Sequence, residues 1–126
     1  MIGNKYNELS KKIIGAAIEV HRTLGSGLLE STYQKGLVQE LTIQNLYIET
    51  EKEIPVHYKG INLDCSYRAD IIVEHKIILE LKSVSSLTNI HEAQIMSYMR
   101  LANIKKGLLT NFNVRLLKEG LKSFVL

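Results

Sequence analysis

The sequence predicts an α+β fold, one mixed sheet flanked by helices. Three observations carry that prediction. Residues 7–24 and 29–44 repeat apolar side chains at helical spacing. Residues 48–84 hold three apolar or alternating runs separated by turn residues. Residues 90–103 then return to helical spacing, and a further short apolar run follows at 106–110.

In the first helix Leu9, Ile13, Ala16, Ala17, Val20 and Leu24 make one apolar stripe, and Gly25-Ser26-Gly27 stops it. In the second, Tyr33, Leu37 and Leu41 face inward, with Asn45 as the C-terminal stop; Glu30, one turn earlier on the same side, is either a first-turn acid favoured by the helix dipole or a third carboxylate aimed at the sheet. The strand at 48–58 alternates imperfectly, and Pro55, which has no N–H to donate, marks an edge or a bulge. Lys59-Gly60 is a turn signal, and strands follow at 61–73 and 77–84, then a polar loop at 85–89. On the third helix Ile95, Met99 and Ala102 form the apolar stripe. His91, Gln94 and Tyr98 share the adjoining face, either as surface or as the lining of a cleft that meets a phosphate or a base. Residues 114–126 read as a hairpin turning at Glu119-Gly120, with a terminal helix as the alternative.

At 126 residues the chain is long enough for one domain, 1–126, with a sizeable core. Its 45% hydrophobic and 23% charged residues are those of a soluble globular protein. No apolar run approaches membrane-spanning length, and the N-terminal residues lack a signal-peptide hydrophobic segment. The lone Cys65 forms no internal disulfide, fits a reducing cytoplasm, and is expected as a small buried filler. Net charge is only +3, but residues 100–122 hold six basic residues to one acid. A basic end of that kind suits a polyanionic partner, or is simply a solvated surface.

The chemistry concentrates in residues 67–83, YRADIIVEHKIILELKS. Two apolar runs flank Glu74-His75-Lys76, and inside them stand Asp70, Glu80 and Lys82, which a core tolerates only with partners, a metal or solvent. With three loop residues, Val73 pairs with Ile77, Ile72 with Ile78, Ile71 with Leu79, and Asp70 with Glu80. One face is then Ile71, Val73, Ile77, Leu79 and Leu81; the other carries Asp70, Glu80 and Lys82 beside Ile72 and Ile78. A two-residue turn would put the two carboxylates on opposite faces. Opposed Cβ atoms lie about 5 Å apart, close enough for two carboxylates to share one hard cation. An ammonium two residues along can orient a water or stabilise an oxyanion. The competing reading is an ordinary charge pair on a solvated sheet face.

Asp70 followed by Glu80-Leu81-Lys82 resembles the D…(D/E)xK motif of the PD-(D/E)XK nuclease superfamily. Gly27-Leu28-Leu29-Glu30-Ser31-Thr32-Tyr33 looks like the signature of a small prokaryotic group within it, the GxxExxY family, and His21 to Gly25 fits the HxxLG start of the same block. Gln94 to Tyr98 is similar to the QxxxY of exonuclease branches, and Gly107 to Phe112 to the group's GLL(I/V)NF strand. The sequence departs at Ala69, where the superfamily name has proline.

The resemblance implies a restriction-endonuclease-like core and Mg²⁺-dependent phosphodiester hydrolysis, with Mn²⁺ as a substitute ion. Carried over by position, Asp70, Glu80 and the backbone carbonyl of Leu81 would hold the metal. Glu30 would join them directly or through a water. Lys82 would position or activate the attacking water, and Gln94 and Tyr98 would orient the lysine and meet substrate. The implied partner is nucleic acid, DNA ahead of RNA, and a homodimer would widen the cleft. The alternative is a non-catalytic nucleic-acid- or protein-binding module that keeps the fold. His21, His57 and His75 are expected as packing, strand-edge and turn residues.

Overall fold

The computed structural model describes residues 2–126, with side chains from residue 6 onward. Two helices, α1 (Ile2–Leu24) and α2 (Glu30–Ile43), precede an antiparallel meander of β1 (Ile48–Tyr58), β2 (Ile61–Val73) and β3 (Ile77–Lys82). Helix α3 (Asn89–Ala102) then crosses over to β4 (Lys106–Asn111), and a short 3₁₀ turn (Leu117–Gly120) leads into β5 (Leu121–Val125). The strands lie in the order β1-β2-β3-β4-β5, with β3 and β4 parallel and the other neighbours antiparallel.

The sheet divides two apolar clusters. On one face Ile71, Val73, Ile77, Leu79, Leu81, Leu108 and Phe112 pack against the stripes of α1 and α2. On the other, Ile72, Ile78 and Leu109 pack against Ile95, Tyr98 and Met99 of α3. Gly107 lets α3 lie close on β4, since a Cβ there would meet Met99 Sδ and Ile95. The turn between β2 and β3 has the expected three residues. Glu74 and His75 both take left-handed φ, and the Lys76 N–H donates to Val73 O at 2.9 Å. The pairs Val73–Ile77, Ile72–Ile78 and Ile71–Leu79 follow as the spacing predicts.

Several boundaries differ from expectation. Helix α1 begins five residues before residue 7, and half-buried Tyr6 continues its stripe one turn ahead of Leu9. Strand β3 stops at Lys82 because Asn111 takes both backbone groups of Val84 into its side-chain amide, at 3.0 and 2.9 Å. Residues 114–126 are not a hairpin. Val114 O is held by His21 Nε2 at 2.8 Å, Leu117 turns into the α1–α2 cluster, and only residues 121–125 pair, with β4. Pro55 sits on edge strand β1 next to a bulge, as expected. Cys65 is exposed rather than buried, because it lies on the outer half of β2, where every residue from Ile61 to Arg68 is exposed.

Candidate active site

Main-chain pairing of β2 with β3 ends at Ile71–Leu79. One residue further out, the strands are joined by their acids. The Asp70 N–H donates to Glu80 Oε2 at 2.8 Å, and the Leu81 N–H donates to Asp70 Oδ2 at 2.8 Å. Each carboxylate therefore satisfies a backbone amide that the ladder has released. The remaining oxygens, Asp70 Oδ1 and Glu80 Oε1, take no hydrogen bond from the described residues. Neither is a sealed unsatisfied atom, so both reach solvent.

Alternation puts Glu80 and Lys82 on the α3 side of β3, where Lys82 Nζ donates to Gln94 Oε1 at 3.3 Å. Asp70 departs from the expected alternation. Ala69 and Ile72 both pack in the α3-side cluster, so the phase of β2 slips by one residue at Asp70. Strand β1 slips with it. In the register set by Thr50–Ile71 and Lys52–Ala69, Glu51 faces Asp70, and Glu51 carries a left-handed φ of 50°. Irregularities of this kind re-aim side chains at sheet margins. Here Asp70 turns along the sheet toward β3 rather than onto the α3 face.

Glu30 opens α2, on the opposite face of the sheet. It feels the charges of Lys82 and Glu51, but it does not close a third side of a metal cage. No three His, Cys, Asp or Glu side chains among the described residues come together to hold one ion. The loop before it is fixed by Tyr33, whose buried phenol donates to Gly25 O at 2.6 Å and accepts the Leu28 N–H at 3.1 Å while its ring stacks on Phe112. Ser83 Oγ donates to Leu28 O at 2.7 Å, tying the loop to the residue after Lys82.

Electrostatics reflect crowding of acids. Burial, then repulsion by Asp70, pushes the Glu80 carboxyl up to about 8, against the pull of the Asp70 amide and Lys82. Burial also raises Asp70 to about 6, with the Leu81 amide pulling down and Glu30 pushing up. Glu30 is raised by burial, with Lys82 opposing. The Tyr98 phenol is raised by burial and by the charge of Glu80, so it stays a donor beside the acids.

Two neighbours escape sequence reasoning. Gln34 of α2 donates to Glu51 Oε1 at 3.1 Å and to Asp70 O at 3.2 Å, bracing the kink from the far side. Glu51 itself gave no signal, because a bulge beyond Pro55 sets the register. Counting back from the two-residue Lys59-Gly60 turn puts Glu49 opposite Asp70 instead. His91, expected on the face of Gln94 and Tyr98, accepts the Thr88 N–H at 3.0 Å and caps α3. His21 is a packing residue, as expected.

A five-stranded mixed sheet, helices on both faces, and strands parting around paired carboxylates make this a restriction-endonuclease-like α+β fold. The chain belongs to the PD-(D/E)XK nuclease superfamily, whose sequence model matches residues 7–124. Among solved structures, the crystal structure of SSO0001 matches with a TM-score of 0.52 and 24% identity, over 75% of this chain and 47% of that one. That likeness is one of fold, and this chain spans about half the length of SSO0001. None of the curated proteins matches the chain. No helix among the described residues is long and apolar enough to cross a membrane.

Proposed function

We propose that the chain hydrolyses phosphodiester bonds, in DNA ahead of RNA, with Mg²⁺ as its ion and Mn²⁺ as a substitute. The interlocked carboxylates of Asp70 and Glu80 carry this reading. They are hard oxygen donors, each with one oxygen free, held close enough to repel each other. Residues along a strand point their backbone groups to alternate sides. Lys82 O accepts the Phe112 N–H toward β4, so the Leu81 carbonyl points toward Asp70 and supports a third oxygen ligand. Glu30 would act through a bound water, in keeping with the octahedral, water-retaining habit of Mg²⁺.

A bound divalent cation supplies charge neutralisation at the phosphate and a lowered water pKa. The rest is done by the chain. Lys82, held by Gln94, presents N–H donors to the attacking water and to the developing oxyanion. Gln94 spends its carbonyl on Lys82 and also hydrogen-bonds the Tyr98 phenol, so one side chain ties the lysine and the tyrosine together at the edge of the acid pair. The Tyr98 phenol, kept protonated, offers another donor. The GLLESTY segment supports placing the chain in the GxxExxY group, with Tyr33 bracing the loop that carries Glu30.

Isothermal titration with Mg²⁺ and Mn²⁺ tests the ion site. Binding is expected in the wild type and absent in Asp70→Ala and Glu80→Ala. Plasmid nicking that disappears in Lys82→Ala completes the case. Metal binding without nicking of any nucleic acid would leave the non-catalytic binding module as the better reading.

A further inference from the structure

The phase slip at Asp70 has a second effect. It turns Leu63, Cys65 and Tyr67 of outer β2 toward α3, and a groove of about 540 Å³ opens between them and Gln94, Tyr98 and Arg100. Its size suits one small ligand unit rather than a broad surface. Gln94 holds Lys82, and Tyr98 feels the charges of Glu80 and Asp70, so two of the groove's lining residues are neighbours of the acid pair. Two rings meet there. Buried Tyr98 backs Tyr67 at 5.7 Å between centroids and 39° between planes, and Tyr67 is 48% exposed. No acid lines the groove. Arg100 is exposed, donates only to Ser97 Oγ at 3.1 Å, and has no carboxylate partner among the described residues.

We infer that this groove seats an unstacked nucleotide, and that the substrate is single-stranded or splayed nucleic acid. The inference deepens the nuclease reading and rests on it. A supported aromatic face next to a free guanidinium is the pairing that binds single strands: the base stacks on the ring and the phosphate meets the cation. Base faces inside a duplex are covered by their neighbours and leave Tyr67 nothing to stack on. A nucleotide on Tyr67 would deliver its adjoining phosphate to Asp70, Glu80 and Lys82.

The test uses the full chain carrying Lys82→Ala, in Mg²⁺, with fluorescein-labelled octadeoxythymidylate followed by anisotropy. Binding is expected, and Tyr67→Ala should weaken it roughly tenfold while Tyr67→Phe keeps most of it. Arg100→Ala should weaken it and lower the slope of log affinity against log salt by roughly 0.7. Tyr58→Ala, at the far end of the same hairpin, should change nothing. Octauridylate in place of the DNA oligomer shows whether the sugar matters to the same groove. Affinity unmoved by Tyr67→Ala, or equal affinity for a duplex of the same length, overturns the inference. So does self-association that Tyr67→Ala abolishes while oligonucleotide affinity stays constant, because the groove would then seat a second copy. Tyr67-dependent binding by a wild-type chain that nicks nothing keeps the groove and removes the nuclease. Single-strand cleavage unchanged in Tyr67→Ala does the reverse.

Discussion

At its turn end the β2–β3 pair is closed by main-chain bonds and walled by Ile71, Val73, Ile77 and Leu79, all essentially inaccessible. At its open end, one residue beyond Leu79, the same strands are joined only through Asp70 and Glu80. Both ends satisfy their amides, by opposite means. The closed end does so with carbonyls and leaves nothing reactive. The open end does so with carboxylates, and each keeps an oxygen to spare. Acids are therefore tolerable where pairing stops, since a released N–H is a ready partner for them. That is the physical reason a chemically useful group can stand against a hydrophobic core.

The largest effect should come from breaking the open end. Asp70→Ala should lower nicking on the order of a thousandfold, equivalent to about 4 kcal/mol of transition-state stabilisation, measured from plasmid time courses. The closed end should fail differently. Leu79→Ala should cost about 2–5 kcal/mol in urea unfolding while leaving Mg²⁺ affinity of the folded protein within roughly twofold. If Leu79→Ala abolishes ion binding at temperatures where it remains folded, the two ends are not separable.

A third experiment uses pH. Folding raises Glu80 from 4.5 to about 8 and Asp70 from 3.8 to about 6, so the folded chain holds more protons than the unfolded chain in those windows. Metal-free stability should therefore be greatest below pH 4 as far as these groups are concerned, and should fall as pH rises toward 8. Glu80→Gln removes the larger part of that slope. It should be more stable than metal-free wild type at pH 8 by on the order of 1–2 kcal/mol, and no more stable near pH 4, by thermal unfolding at each pH. Added Mg²⁺ should stabilise wild type more at pH 8 than at pH 5, because it binds the ionised pair. The smallest effect is expected at the loop before α2. Tyr33→Phe loses two hydrogen bonds but keeps the ring on Phe112, and should cost about 1 kcal/mol by urea unfolding.

Periodicity made the closed end fully legible. Apolar alternation and the three-residue turn determine which residues oppose which, and Ile71–Leu79 follows without further information. The nearness of Asp70 to Glu80 was readable for the same reason. The direction of Asp70 was not, because it depends on a slip in phase shared with Glu51 of β1, an ordinary glutamate in left-handed backbone. Nor was the end of the chain. Residues 114–126 alternate well enough for a hairpin, but His21 and the buried Leu117 hold their first half elsewhere. Cys65 was misjudged because composition favours burial and cannot tell that outer β2 leaves the core. Local pattern is a good guide where strands are packed on both faces, and a poor one where a long-range partner redirects the backbone.

Beyond Ala69 and Ile54, which still pack in the α3-side cluster, the β1–β2 hairpin projects past the core, and residues 61–68 are all open to water. Its tip can be lengthened, trimmed or rewritten at little thermodynamic expense, since almost nothing there supports the rest of the molecule. Variants differing only in that arm would share one reactive centre while presenting different shapes to whatever approaches it, which makes the arm the natural place to engineer selectivity.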